Sequence, residues 1–151
     1  MMIVNLVPVT RDNWQACCAL SLPAEQQDFV ASNLYSIAEA QFYPTMQVRA
    51  LINQSSTLVG LAVYGISPNT GQYRVARLMI DQAFQGQGYG RAAMQAILAE
   101  VAALGDVDQV WLSYREHNHA ARNLYQSLGF QEQSCDPAGR IVAMYSLVAQ
   151  D

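Results

Sequence analysis

Gln85-Gly86-Gln87-Gly88-Tyr89-Gly90-Arg91 is the stretch on which the reading of this chain turns. It stands between an apolar run ending Leu78-Met79-Ile80 and a long helical pattern that opens at Ala92. Alternating glycines at a strand-to-helix handover remove Cβ where the backbone must take positive φ or approach a ligand closely. The amides of such a turn, with those of the helix's first turn, point outward together. They form an anion site suited to a phosphate or pyrophosphate. The segment therefore points to a phosphorylated small molecule as ligand.

Outward from the loop, the pattern alternates between strands and helices. Upstream, Ile3 to Val9 reads as a strand, and Thr10 as the cap of a helix carrying Trp14, Cys17 and Cys18. Leu22-Pro23 breaks that helix. A second helical stretch covers roughly Phe29 to Phe42, and Pro44 stops it. Met46 to Ile52 and Thr57 to Ile66 read as a hairpin around the turn Asn53-Gln54-Ser55-Ser56. Ser67 to Gly71 turns into a strand from Gln72 to Ile80. Downstream, Met94, Ile97, Leu98 and Val101 stripe a helix that runs to about Leu104 and ends at Gly105. Val107 to Ser113 is a buried strand, and Asn118 to Leu128 a helix closed by Gly129. Phe130 to Cys135 and Ile141 to Val148 are final strands around Asp136-Pro137-Ala138-Gly139. The order β-α-α-β-β-β-α-β-α-β-β predicts one α/β domain over residues 1–151, a mixed sheet with helices on its faces.

Composition narrows the function. Hydrophobic residues make up 52% and charged residues 13%, which excludes a disordered chain. No apolar run reaches the roughly 18 residues that span a bilayer, so no membrane is expected as a partner. Met1 to Val9 lacks a basic n-region and reads as a strand rather than a signal peptide. Cys17, Cys18 and Cys135 are odd in number and have no metal spacing; they read as small apolar side chains in a reducing cytoplasm. No metal is expected from His117 and His119, since no other ligands cluster with them. The net charge is −4, there is no lysine, and the eight basic residues are arginines with no cluster along the chain. That argues against a nucleic-acid surface.

Three templates compete for the loop. A P-loop needs Lys and then Ser or Thr after its last glycine, but Gly90 is followed by Arg91-Ala92. A dinucleotide fingerprint starting at Gly86 needs a glycine where Arg91 stands. The third fits: Gln85-x-x-Gly88-x-Gly90 resembles the acyl-CoA loop of the GNAT N-acetyltransferases. Asn118-His119-Ala120-Ala121-Arg122-Asn123-Leu124-Tyr125-Gln126-Ser127-Leu128-Gly129-Phe130 resembles that family's downstream motif, and the element order matches its fold throughout. The resemblance implies a mostly antiparallel central sheet with helices on both faces and acetyl-CoA as co-substrate. It implies that Leu78, Met79 and Ile80 pair by backbone with the pantetheine arm, and that Gln85, Gly86, Gln87, Gly88, Tyr89, Gly90 and Arg91 hold the pyrophosphate. Asn118, an N-cap, and Tyr125, two helical turns on, share a face toward the same ligand. Dimers are frequent in the family, and by that analogy the strand Ile141 to Val148 can help form one.

The implied reaction is attack of a neutral amine on a thioester. Tyr125 matches the position that protonates the departing thiolate, and a phenol with a pKa of about 10 keeps its proton at neutral pH. An N–H of the strand before the loop, that of Ile80, is expected to stabilise the developing oxyanion. Some relatives carry a glutamate five residues before the asparagine; here that position is Ser113. Glu116 is the candidate base, directly or through water, and reads equally as a solvated loop charge. Leu20 to Ala40 and Arg77 to Asp81 resemble the bacterial spermine/spermidine (diamine) branch. A polyamine needs carboxylates along a groove, and Glu25, Asp28, Glu39 and Glu116 are the candidates. With no basic acceptor site visible, an acidic acceptor is not expected. A peptide or ribosomal-protein N-terminal acetyltransferase and a non-catalytic acyl-CoA sensor are the other readings.

Overall fold

Every apolar run named above becomes an element of one layered structure. The computed structural model describes residues 2–27 and 31–148. In chain order the elements are β1 (Asn5–Pro8), α1 (Trp14–Ala19), α2 (Asn33–Ala40), β2 (Met46–Ile52), β3 (Leu58–Ile66) and β4 (Tyr73–Ile80). They continue with α3 (Tyr89–Ala102), β5 (Gln109–Arg115), α4 (His119–Leu128), β6 (Gln131–Cys135) and β7 (Arg140–Ser146). Short 3₁₀ turns at Ala24–Gln26 and Gln82–Phe84 were not anticipated.

The strands form a single sheet in the order β1-β2-β3-β4-β5-β7-β6, antiparallel at every junction except β4 with β5. α1 and α2 pack on one face, α3 and α4 on the other. This is the mixed, mostly antiparallel α/β layering expected from the element order. β3 sits inside the sheet and is covered on both faces, which is why its sequence is an almost unbroken apolar run. Met94, Ile97 and Val101, one stripe of α3, are fully buried. Burial of each such side chain stabilises the fold by about 1.5–3 kcal/mol.

Two helix starts differ from the expectation. Thr10 does not cap α1; its backbone carbonyl accepts from Trp14, and Asn13 occupies the cap position. The second helix begins at Asn33 rather than near Phe29, because the Ser32 hydroxyl accepts from the Tyr35 amide and fixes the start there. Phe29 lies outside the described residues.

β4 carries the feature that shapes everything beside it. Val63 faces Arg77 and Tyr64 faces Val75, so Ala76 is left over as a bulge. One extra residue inverts the alternation of side chains. Tyr73 and Val75 join the core under α3, whereas beyond the bulge Met79 and Arg77 turn toward α1 and α2. Leu78 and Ile80 then face the α3–α4 side.

Gly60 on β3 lets β4 lie close. A Cβ there would stand 2.3 Å from the Met79 carbonyl oxygen, a backbone atom that cannot swing away. Gly60→Ala should therefore force β3 from β4 and lower stability by about 1–3 kcal/mol in urea denaturation. An unchanged midpoint would mean that the pair relaxes freely.

Candidate active site

β4 and β5 start together and then part. Among the described residues their only register partners are Arg74 and Trp111, so the strand from Ala76 to Ile80 has no paired strand on that side. On its other side, the Asp81 amide donates to Val59 O beyond the Gly60–Ile80 pair. In an antiparallel ladder this makes Gly60–Ile80 a non-hydrogen-bonded pair. The N–H groups of Ile80, and of Leu78 two residues back, consequently point into the gap.

The glycine loop closes one end of that gap. Asp81 anchors its start, accepting from the Ser21 and Ala83 amides. The Gln85 side chain donates to Ile80 O and to Gln26 Oε1, both at 3.0 Å, which ties loop, strand and N-terminal segment together. Gly86 and Gly88 have φ of +76° and +94°, and a Cβ on either would meet no protein atom within 4 Å. The amides of Gly86 to Arg91 have no acceptor among the described residues. Open space, outward amides and the N-terminus of a 14-residue helix suit an anionic ligand.

Two cavities follow from the loop. The first, of about 260 Å³, runs from the glycines past Ile80 to Asn118 and Tyr125. The second, of about 650 Å³, opens beyond it between β4 and β5. Leu78, Asn118, Ala121 and Tyr125 line both, so the two form one continuous cleft. Asn118 Oδ1 caps α4 by accepting from the Ala121 amide at 3.3 Å. Tyr125 stacks on Tyr114 with centroids 5.6 Å apart and meets Phe130 edge-on. Burial pushes its phenol up to about 12. Its hydroxyl has no hydrogen-bond partner among the described residues, so it remains available to a ligand.

α4 is held in place by Glu132. This carboxylate accepts from Arg122 through both oxygens, at 2.7 and 3.0 Å, from the Tyr114 hydroxyl at 2.9 Å and from Gln126 at 3.1 Å. The Arg122 bond is the first cause of its depressed pKa. Nothing in the local sequence marks Glu132, because its partners lie on other elements.

Of the strand and loop residues singled out from the sequence, all but Gln87 and Arg91 line the first cavity. Arg91 instead bonds the Ser127 hydroxyl of α4. The Tyr89 ring is buried against Phe84 and its hydroxyl accepts from Asn53, so it is an anchor for the loop. The acidic candidates do not converge. Glu116 lies over Gly139 and accepts from the Cys135 thiol, Glu25 is exposed, and Glu39 pairs with Arg77 at 2.8 Å. None of these lines either cavity. Asp28 lies outside the described residues.

What does converge is positive charge, contrary to the expectation of no basic acceptor site. Arg74, Arg77, Arg115 and Arg140 all line the second cavity. They come from three strands, which is why no cluster shows along the chain. Among the described residues no group of three His, Cys, Asp or Glu could hold a metal ion, and no helix is long and apolar enough to cross a membrane.

Comparison with known proteins agrees with this geometry. The model of the acetyltransferase (GNAT) family matches residues 12–130. A spermine/spermidine N(1)-acetyltransferase of Bacillus subtilis is 30% identical over 136 residues, covering 86% of this chain and 89% of the relative. A ribosomal protein bS18-alanine N-acetyltransferase of Haemophilus ducreyi is 38% identical over 55 residues, covering 36% of this chain and 37% of the relative. The crystal structure of spermidine N-acetyltransferase from Vibrio cholerae in complex with CoA and spermine superposes with a TM-score of 0.75. It covers 95% of each chain at 15% identity, a likeness of fold.

Two outcomes are expected. Gly88→Val should abolish calorimetric binding of acetyl-CoA while circular dichroism stays native, since the side chain fills open space beside the loop amides and strains a left-handed residue. Unchanged affinity would remove the loop from the ligand. Glu132→Gln should flatten the fall of stability below about pH 4.5, the ordinary glutamate value. The folded-state pKa of Glu132 is depressed, so its contribution is present above that value and lost as pH falls through the lower one. An equally steep acid transition in the variant would contradict this.

Proposed function

The chain belongs to the acetyltransferase (GNAT) family, and we propose that its cleft carries the acetyl group of acetyl-CoA to a small primary amine by direct attack on the thioester. It is an N-acetyltransferase with acetyl-CoA as co-substrate. The observation that carries the reading is the continuous cleft. Unpaired loop amides lie at one end, and Tyr125 lines both cavities.

Bound acetyl-CoA supplies an acyl group already activated as a thioester. The amides of Gly86 to Arg91 hold its pyrophosphate, with Gly86 and Gly88 allowing the close approach. Leu78 and Ile80 present their unpaired backbone to the pantetheine arm. The Ile80 N–H donates to the carbonyl oxygen as negative charge develops there; a fixed amide costs no reorganisation. Gln85 supports this step by occupying the carbonyl of the same residue. Tyr125 keeps its proton at neutral pH and delivers it to the departing sulfur. The acceptor enters through the second cavity and loses its proton to water there. Glu116, turned toward Cys135, lines neither cavity and is not assigned this step.

A polyamine is the acceptor that the Bacillus subtilis relative's name supports. A protein N-terminal amine is supported by the shorter match, but Ser113 stands where that role wants a carboxylate. Thiol release measured over polyamines, amino acids, aminoglycosides and peptides tests the assignment. If acetyl-CoA binds and no amine raises thiol release, the protein is a sensor of acyl-CoA rather than an enzyme. Tyr125→Phe should lower kcat by about 100-fold with little change in acetyl-CoA affinity. An equal kcat would mean that water or another group protonates the thiolate.

A further inference from the structure

Half of the chain's eight basic residues line one cavity, in a protein whose net charge is −4. The alternation of the strands sets all four on the same face of the sheet. Val110, Leu112 and Tyr114 of β5 and Ile141 and Ala143 of β7 enter the core under α3 and α4, so Ser113, Arg115 and Arg140 project from the opposite face. Arg74 is opposite Tyr73 and Val75 and joins them there. Among the described residues, only Arg77 of the four has a carboxylate partner, Glu39. Arg74 donates to the neutral Gln72 and Ser113 side chains, and neither Arg115 nor Arg140 has an ion-pair partner among the described residues.

The register makes this arrangement costly in the free protein. Arg115 and Arg140 stand directly opposite each other on β5 and β7. Like charges in that position repel and destabilise a sheet. Burial, and then the neighbouring Arg140, lower the pKa of Arg74. Guanidinium groups gathered in a cavity that no carboxylate lines among the described residues, beside a neutral hydroxyl, match a planar anion that accepts several N–H bonds.

Resting on the reading of this cavity as the acceptor side of the cleft, we propose that Arg74, Arg115 and Arg140, with Ser113, bind a carboxylate on the acceptor. The substrate is then an amino acid-like molecule, whose amine reaches toward Tyr125 while its acid end sits among the arginines. A bare polycation would meet repulsion at that end.

A matched series tests this: linear primary amines of two to six carbons whose far end is a methyl, an ammonium or a carboxylate, assayed by thiol release. The carboxylate member at its best length should exceed the methyl and ammonium members in kcat/KM by about tenfold or more. Arg74→Gln and Arg140→Gln should each erase most of that advantage. Arg74 lies at the only β4–β5 register pair, so the exposed Arg140 provides the variant that should still fold. In a second arm, glutarate at matched ionic strength should raise the Tm of the wild type bound to CoA and leave that of Arg140→Gln unmoved. If the methyl or ammonium members are used equally well or better, or glutarate shifts both proteins alike, the carboxylate subsite falls and amine acetylation stands. If no member is acetylated while glutarate still shifts only the wild type, the amine-transfer reading falls and the anion site stands.

Discussion

The parting of β4 from β5 is the constraint on which the rest depends. A sheet normally satisfies each backbone amide with a neighbouring strand, and a strand left bare in the interior costs free energy. Here the two strands meet at Arg74 and Trp111 and then separate, so the amides of Leu78 and Ile80 face a cleft instead of a partner. The glycine loop, α4 and the second cavity are all arranged around that opening. The bulge at Ala76 belongs to the same device, because it turns the strand and re-aims its side chains just where the parting begins.

Keeping such a cleft open requires rigid walls. Asp81 and Gln85 fix the loop to the N-terminal segment through side-chain bonds rather than apolar packing. Glu132 fixes α4 by gathering donors from α4 and β5 onto one carboxylate. Tyr125 is then held by its rings on Tyr114 and Phe130, with its hydroxyl left to the cleft. The phenol is placed by stacking and tuned by burial, two consequences of one packing arrangement.

The layering, the antiparallel meander before the loop and most of the residues that line the first cavity were legible in the sequence. They are written in local signals: apolar alternation, the glycines at Gly86 and Gly88, the Asn118 cap and the Gly129 stop. Helix α2 was overextended toward Phe29 because a hydroxyl cap at Ser32 is a weaker signal than apolar spacing. The arginine-lined second cavity was not legible. Its arginines are separated by up to 66 positions (140 − 74) and meet only because β7 pairs with β5 while β5 abuts β4. Two of the acids that looked suitable for a cation are turned elsewhere, Glu39 by Arg77 and Glu116 by the turn at Gly139. Charge convergence across strands is a property of register, and register is not written in spacing.

On the proposed reading the loop offers its ligand main-chain amides, while the second cavity offers side chains. Main-chain recognition is blind to most substitutions: only the two left-handed positions, Gly86 and Gly88, are closed to change by their own backbone. Side-chain recognition is replaced one residue at a time. Such a protein can therefore exchange one acceptor for another over evolutionary time without relearning how to hold its donor. Sequence drift should accumulate at the arginine-lined end while the glycine end stands still.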